Sequence, residues 1–271
     1  AFRAIPTDIP TIDRLALPPI VRKLCDYHQG MILVTGSTGT GKSTTLAAMI
    51  DLLNTTRKLN IVSLEDPIEF VHRSKQSQVI QRELGTHIPS FAEGVRAAMR
   101  EDPDVILVGE LRDAETISMA MTAAETGHLV LGTLHTTSAT KTIDRVIDAL
   151  PVEEREQTKS FLAQSLLAVV TQVLVKGSEN RGRRAICEVM VMTKAIAKLI
   201  QSDQTHLQTG RDLGMQLLDQ ALLAAVTARE IDPDDAYNYA SDKRLFQKFV
   251  TDTSLLPRLD VPAAASATGA G

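Results

Sequence analysis

The stretch MILVTGSTGTGKSTT, residues 31–45, decides the fold. An apolar, partly β-branched run leads into Gly36-x-x-x-x-Gly41-Lys42-Ser43, and a helix-forming segment follows. This is the P-loop pattern in the strand–loop–helix context that gives it meaning. The glycines let backbone N–H groups turn towards a phosphate, and the positive end of the following helix adds to the attraction. The stretch therefore predicts a site for a nucleoside triphosphate.

Individual roles follow from the same loop. Lys42 is expected to bridge the β- and γ-phosphates, and the hydroxyl of Ser43 is expected to ligate Mg²⁺. The predicted ligands are thus ATP and Mg²⁺. The predicted nucleotide-binding residues are Gly36, Ser37, Thr38, Gly39, Thr40, Gly41, Lys42, Ser43 and Thr44.

Around the loop, short apolar runs alternate with amphipathic stretches, which is typical of an α/β protein with a mainly parallel sheet. The pattern predicts strands at 31–35, 61–64, 105–108 and 129–133, with helices at 42–54, 91–100, 114–125 and 139–149. After Pro151 it predicts helices at 157–173, 213–227 and 234–252, interrupted by a strand at 184–191. We expect a linker at 1–18, a nucleotide-binding core at 19–150, a mostly helical region at 151–252 and a flexible tail at 253–271.

Composition narrows the classes of function. The 271 residues carry 44% apolar side chains, enough for a sizeable core. A net charge of -4 argues against a general nucleic-acid binder, which is usually basic. Apolar runs fall short of the roughly 18–20 residues that span a bilayer, and a secretory signal is lacking, so a cytoplasmic protein is expected. The isolated Cys25 and Cys187 indicate core packing rather than a zinc or disulfide site.

Two acidic segments supply candidates for catalysis. In REDPDVILVGELRD, residues 100–113, Glu110 ends an apolar strand. Because strand ends line the ligand crevice of an open parallel sheet, Glu110 is expected to act on Mg²⁺, although Gly109 stands where an Asp is usual. In SLEDPIEFVH, residues 63–72, Pro67 makes a turn, and Glu69 beyond it could polarise the attacking water as a general base. The alternative for this second segment is a solvated acidic loop.

Two histidines flank one apolar run in TGHLVLGTLHTTSA, residues 126–139. Seven extended steps of about 3.3 Å separate His128 from His135 by about 20 Å, so they cannot both touch one phosphate unless the chain folds back. His135 follows the strand and is expected to sense the γ-phosphate. His128 precedes it and is expected behind the site or at an interface with a neighbouring subunit. The plainer alternative is a satisfied histidine at each end of a strand.

These segments occur in order as four boxes: GSTGTGKSTT, SLEDPIEFVH followed by QRE at 81–83, REDPDVILVGELRD, and AETGHLVLGTLHTTSA at 124–139. Together they resemble the secretion-superfamily ATPases, most closely the twitching-motility (pilus retraction) ATPases of the PilT/PilU family. The resemblance implies a RecA-like fold, hexameric rings with ATP sites between subunits, and a PAS-like domain ahead of the segment that begins here at Ala1. It also implies catalytic roles for Lys42, Glu69, Glu110, His128 and His135.

Two details concern the branch of the family. Pilus-extension and type II secretion ATPases carry a four-cysteine zinc module, which a chain with two cysteines cannot form. This favours the retraction branch. At 195–200 the chain reads AIAKLI where retraction ATPases have AIRNLI, so Ala197 replaces an arginine and the paralogue is left open.

The resulting prediction is an ATP-hydrolysing homohexameric motor that retracts a type IV pilus from the cytoplasmic side of the inner membrane, acting on a membrane platform protein. The alternative is an accessory nucleotide-binding ring subunit that assists a paralogous retraction motor. The acidic charge disfavours a DNA motor. A neighbour's arginine usually stabilises the transition state in ring ATPases, and the candidates are Arg96, Arg100 and Arg112. The cluster at 181–184 is expected to face a partner or solvent.

Overall fold

The computed structural model describes residues 8–180, 182–202 and 213–257. Its strands are β1 (Gly30–Thr35), β2 (Asn60–Glu65), β3 (Gln78–Glu83), β4 (Val105–Val108), β5 (Leu129–Leu134), β6 (Leu166–Lys176) and β7 (Arg183–Val191). They form one seven-stranded sheet in the order β3-β2-β4-β5-β1-β6-β7. Neighbouring strands are parallel except β6 and β7, which are antiparallel. The predicted α/β fold with a mainly parallel sheet is confirmed.

Helices cover both faces of this sheet. Those in the described ranges are α1 (Pro19–Leu24), α2 (Lys42–Thr56), α3 (Phe91–Ala98), α4 (Ala114–Glu125), α5 (Ala139–Ala149), α6 (Arg155–Ser165), α7 (Lys194–Gln201), α8 (Leu218–Thr227) and α9 (Pro233–Tyr239). Because side chains alternate along a strand, β1 sends Met31 and Leu33 into a core shared with α3 to α7. Ile32 and Val34 enter a second core shared with α1 and α2.

The segment predicted as a linker takes part in the second core. Ile12 and Leu17 are 3% and 6% exposed and belong to the same apolar cluster as α1 and α2. Residues 1–7 lie outside the described residues, and so does 258–271, which is most of the predicted tail.

A third apolar cluster joins the C-terminal helices to the sheet. Phe246, fully buried, packs with residues of α8 and α9 against Val175 of β6 and Ile186 of β7. The region after residue 151 is therefore built onto the two strands that extend the sheet.

Several predicted elements differ from the structure. The helix predicted at 157–173 is wrong beyond Ser165, because β6 begins at Leu166. This strand lies between β1 and β7 with both faces covered, so it is apolar almost throughout. Periodicity cannot distinguish such a run from a buried helix.

Other differences lie at element ends. The helix predicted at 234–252 ends at Tyr239 and is followed by short 3₁₀ turns, the helix predicted at 213–227 begins at Leu218, and α3 ends at Ala98 rather than at residue 100. Strand β3 was not predicted. It is an edge strand whose side chains are mostly polar and half-buried, so its apolar signal is weak.

The two cysteines lie in the core, as predicted. Both thiols are free, and burial raises the pKa of Cys25 and of Cys187 to about 12. Each thiol therefore stays protonated near neutral pH and behaves as a small apolar side chain.

Within the described ranges, no helix combines the length and the apolar character needed to cross a lipid bilayer.

Candidate active site

A cleft of about 650 Å³ opens at the carboxyl ends of the parallel strands. The loops after β1, β2, β4 and β5 converge there, since the carboxyl ends of parallel strands share one edge of the sheet. The cleft is lined by P-loop residues, including Lys42 and Ser43, together with Glu69, Glu110 and His135. The structure thus brings the predicted P-loop residues Lys42 and Ser43 together with Glu69, Glu110 and His135.

Lys42 is held down by the loop that precedes it. Its Nζ donates to the carbonyl oxygens of Gly36 at 2.9 Å and of Ser37 at 3.1 Å. Burial lowers the pKa of Lys42, while the charges of Glu110 and Glu69 act in the opposite direction. The ammonium group is therefore fixed in the loop, between its carbonyls and two carboxylates.

The N-terminus of α2, like those of α1, α6 and α8, lacks a side-chain cap. At α3, α4, α5, α7 and α9 the N-cap side chain accepts a hydrogen bond from a first-turn N–H; these side chains are those of Ser90, Asp113, Ser138, Thr193 and Asp232. In α2 the cap position is Gly41, at φ 90°, and a side-chain cap is lacking. The first-turn N–H groups of α2 have no side-chain acceptor at the cap position, so a phosphate placed there can accept hydrogen bonds from them.

Gln172 on β6, which the sequence did not indicate, supports the P-loop through hydrogen bonds of its side-chain amide. This side chain is 1% exposed, its Nε2 donates to Thr40 O at 2.5 Å, and its Oε1 accepts from Thr45 Oγ1 at 2.8 Å. The backbone of Gln172 also lies against the P-loop: a Cβ added to Gly36 would be 2.3 Å from Gln172 O. Gly36 is at φ 140°, a conformation that glycine adopts without strain. Loop and strand therefore fit as one unit.

Gln172→Leu is expected to weaken ATP binding by roughly tenfold, because a buried hydrogen bond that shapes the loop is worth about 1–3 kcal/mol. Calorimetric titration with ATP measures this change. Gln164→Leu is the matched control, since Gln164 is an exposed amide on α6 that bonds to Ser160. Equal affinity of the Gln172→Leu protein and the wild type would contradict the bracing role.

Glu110 has a partner on each of its carboxylate oxygens. Arg112 Nε lies 2.6 Å from Oε2, and His135 Nε2 lies 3.2 Å from Oε1. The guanidinium of Arg112 also reaches Asp66 Oδ2 at 3.4 Å. The hydrogen bond to Glu110 is the main cause of the raised pKa of Arg112. Glu110 is therefore oriented towards the cleft by a strand-end histidine and a nearby arginine.

The structure explains why Gly109 replaces the usual aspartate. A Cβ at this position would lie 2.9 Å from Leu64 O and 3.3 Å from the Cα of Glu65. Gly109 N donates to Leu64 O at 2.7 Å, and its carbonyl accepts from Thr133 Oγ1 at 2.5 Å. The end of β4 is thus too close to β2 for a side chain, which leaves Glu110 as the carboxylate at this strand end.

Mg²⁺ at this site would need ligands beyond side chains. Among the described residues, no group of three or more His, Cys, Asp or Glu could hold a metal ion by itself. Ser43 and Glu110 line the same cleft, and both supply the oxygen ligands that Mg²⁺ prefers. Triphosphate oxygens and water would complete the octahedron, so the residues present fit a nucleotide-bound Mg²⁺.

His128 is not brought to the cleft by its own chain. It lies before β5, at the opposite end from His135, and its Nδ1 is 2.8 Å from Ala123 O at the end of α4. The two histidines are therefore separated, as their spacing predicted. A catalytic role for His128 stays a prediction.

The predicted arginines divide between the cleft and the surface. Among the described residues that line the cleft, the arginines are Arg112 and Arg183. Arg96 forms an exposed ion pair with Glu115 at 3.2 Å, and Arg100 is exposed. In the cluster at 181–184, Arg184 pairs with Glu230, while Arg181 lies outside the described residues.

Comparison with known proteins gives consistent matches. The family described as Type II/IV secretion system protein matches residues 17–232. The twitching motility protein of Neisseria gonorrhoeae is 49% identical over 246 residues, which are 89% of this chain and 66% of that protein. The type IV pilus retraction ATPase PilT of Pseudomonas aeruginosa is 50% identical over 240 residues, which are 87% of this chain and 70% of that protein.

A solved structure agrees with these sequences. The crystal structure of the pilus retraction motor PilT with bound ADP has a TM-score of 0.84 and 43% identity, covering 89% of this chain and 70% of that one. The present chain spans about two thirds of the length of the curated relatives it matches. Because the family match runs across most of the chain and its relatives are about half identical to it, this protein belongs to the type II/IV secretion protein family and, within it, to the pilus retraction ATPases.

Proposed function

We propose that this protein hydrolyses Mg²⁺-ATP as a subunit of a homohexameric ring, and that the ring retracts a type IV pilus from the cytoplasmic face of the inner membrane. The observation that carries the proposal is one cleft in which the uncapped N-terminus of α2, Lys42 and Ser43 face Glu69 and Glu110. Family membership adds the pilus context. An inner-membrane platform protein is the proposed partner that takes up the force.

Each chain residue has a proposed part in the reaction. The loop N–H groups and Lys42 hold the β- and γ-phosphates. Ser43 and Glu110 would hold Mg²⁺, which would neutralise charge on the phosphates when bound. Glu69 takes a proton from the attacking water. At the same time the water oxygen bonds to the γ-phosphorus, and the bond between the γ-phosphorus and the β–γ bridging oxygen breaks. His135, which contacts Glu110, is assigned to sensing whether the γ-phosphate is present.

In this proposal, a neighbouring subunit of the ring supplies groups that the site of a single chain lacks. Arg112 is already engaged with Glu110 and Asp66, so the additional positive charge for the transition state is assigned to an arginine of a neighbouring subunit. His128, remote from its own cleft, is assigned to contact with a neighbour. The accessory ring subunit, which Ala197 on α7 raised as an alternative, is not favoured, because the relatives of this chain are retraction ATPases.

The test is ATP turnover per chain across a range of protein concentrations, with particle mass measured on the same samples. Turnover that rises as rings form supports the motor. A rate per chain that is independent of assembly contradicts sites completed by neighbours. ATP binding without turnover at every concentration favours the accessory subunit. In cells, deleting the gene is expected to leave pili extended, and continued retraction would contradict the pilus role.

A further inference from the structure

The loop that carries Glu69 has little structure of its own. Residues 66–77, all of them described and here called the Glu69 loop, form neither helix nor strand between β2 and β3. Backbone groups in such a loop need partners from elsewhere. The QRE sequence at 81–83 on β3 supplies several of them.

Glutamine and glutamate side chains of β3 hold the loop on both sides of Glu69. Ile68 N donates to Glu83 Oε2 at 3.1 Å, immediately before Glu69. Immediately after it, Gln81 Nε2 donates to Phe70 O at 2.8 Å. The loop backbone is therefore tied to β3 at the residues on either side of Glu69.

Gln81 makes three hydrogen bonds that fix which way its amide points. Its Oε1 accepts from His72 N at 2.8 Å. Its Nε2 donates to Glu65 Oε1 at 3.0 Å as well as to Phe70 O. Since both neighbours of the nitrogen are acceptors and the neighbour of the oxygen is a donor, a carboxylate of the same shape would be repelled here.

We propose that Gln81 is a positioning residue for ATP hydrolysis, whose carboxamide holds the Glu69 loop so that the Glu69 carboxylate faces the attacking water. The inference rests on the proposed function, in which Glu69 accepts the water proton. Proton transfer requires hydrogen-bond reach, and small misplacement of a reacting group lowers turnover steeply. Gln81 acts on the rate through the geometry of Glu69 and not through contact with ATP.

The far end of the loop has an independent anchor. Asn54 of α2 donates through Nδ2 to Arg73 O at 2.8 Å and accepts from Lys75 N at 2.9 Å. Changing Gln81 therefore leaves the loop attached at its far end. The effect of a Gln81 variant is confined to the part of the loop around Glu69.

Arg82, between the two anchoring residues, provides a matched control. Side chains alternate along a strand, and Arg82 forms an ion pair with Glu101 at 2.8 Å, away from the loop. Arg82→Gln changes β3 at the adjacent position and removes that pair. It is expected to leave turnover within about twofold of the wild type, as for other partly exposed ion pairs.

The experiment is a double-mutant cycle in the intact protein with Glu69→Gln, Gln81→Glu and the double variant, measuring kcat, KM for ATP and thermal midpoint. Gln81→Glu is expected to lower kcat by roughly 10²-fold with KM unchanged, the scale seen when a reacting group is misplaced. In the Glu69→Gln background the same change is expected to have no further effect. Gln81→Ala, which removes the bonds without adding charge, is expected to show the same pattern.

Two results would overturn the inference. One is wild-type kcat in both Gln81 variants. The other is an equal loss with and without Glu69, because Gln81 would then act elsewhere. Failure of the proposed function is distinguishable, since it appears as unchanged turnover in Glu69→Gln alone. Should Gln81→Glu lower the thermal midpoint, Gln81→Ala decides the outcome by the same comparison.

Discussion

Glu110→Gln is expected to reduce ATP turnover by roughly 10²–10³-fold while ATP binding persists, because the proposed function assigns the carboxylate to the metal and the P-loop to the phosphates. The substitution keeps the shape of the side chain but removes its charge. Arg112 and His135, which now flank both oxygens, would lose the anion they orient. Steady-state hydrolysis and fluorescent-nucleotide titration of the same preparation separate the two effects.

Glu115→Gln is the matched control for this prediction. Glu115 lies at the start of α4, where it pairs with Arg96 on the exposed surface. Exposed pairs contribute about 1 kcal/mol or less to stability, so turnover should be unchanged. Wild-type turnover in Glu110→Gln would show that another carboxylate of the cleft, such as Asp66, supports the metal.

Gly109→Asp, which introduces the aspartate usual at this position, is expected to lower the free energy of unfolding by about 2–3 kcal/mol. The new Cβ would meet Leu64 O at 2.9 Å, a backbone atom that cannot rotate away. Strands β2 and β4 would have to separate at their carboxyl ends. Since both strands end at the cleft, ATP turnover should fall as well. Urea denaturation measures the change in stability.

A graded series tests the steric explanation. Gly109→Ala places the same Cβ without charge and should lose most of the stability lost by Gly109→Asp. Gly85→Ala is the control, since a Cβ there would meet no atom within 4 Å although Gly85 is at φ 78°. Its cost should be limited to backbone strain of about 1–2 kcal/mol. If Gly109→Ala is as stable as the wild type, crowding by β2 is not the reason for the glycine.

Local spacing made part of the site predictable. The P-loop and Glu110 each follow a short apolar strand directly, and strand ends of a parallel sheet meet. Glu69 is placed in the same cleft, although its position depends on a loop whose course the sequence does not show. For His135 the strand end again sufficed.

Long-range contacts made the rest unpredictable. Gln172 lies more than 125 residues after the P-loop, in the segment that the apolar pattern assigned to a helix. A helix at this position would not have indicated that the amide of Gln172 lies beside Thr40. The wrong assignment of β6 as a helix therefore hid Gln172 as a residue of the site. Gln81 was hidden in a similar way, because edge strand β3 was not predicted and the QRE sequence had no visible partner.

Because β6 lies beside β1, the end of α5 is not a boundary at which the chain could be divided into two independently folding parts. A fragment ending at Ala149 would leave β1 as an edge strand with unpaired backbone groups and a P-loop without its amide support. The separated remainder would keep β6 and β7, against which Phe246 packs, but β6 would lose its partner β1. Gln172 and Val175 are three positions apart on β6, so the strand that supports the P-loop also carries the C-terminal packing. A single strand therefore contacts both the nucleotide-binding loop and the C-terminal helices.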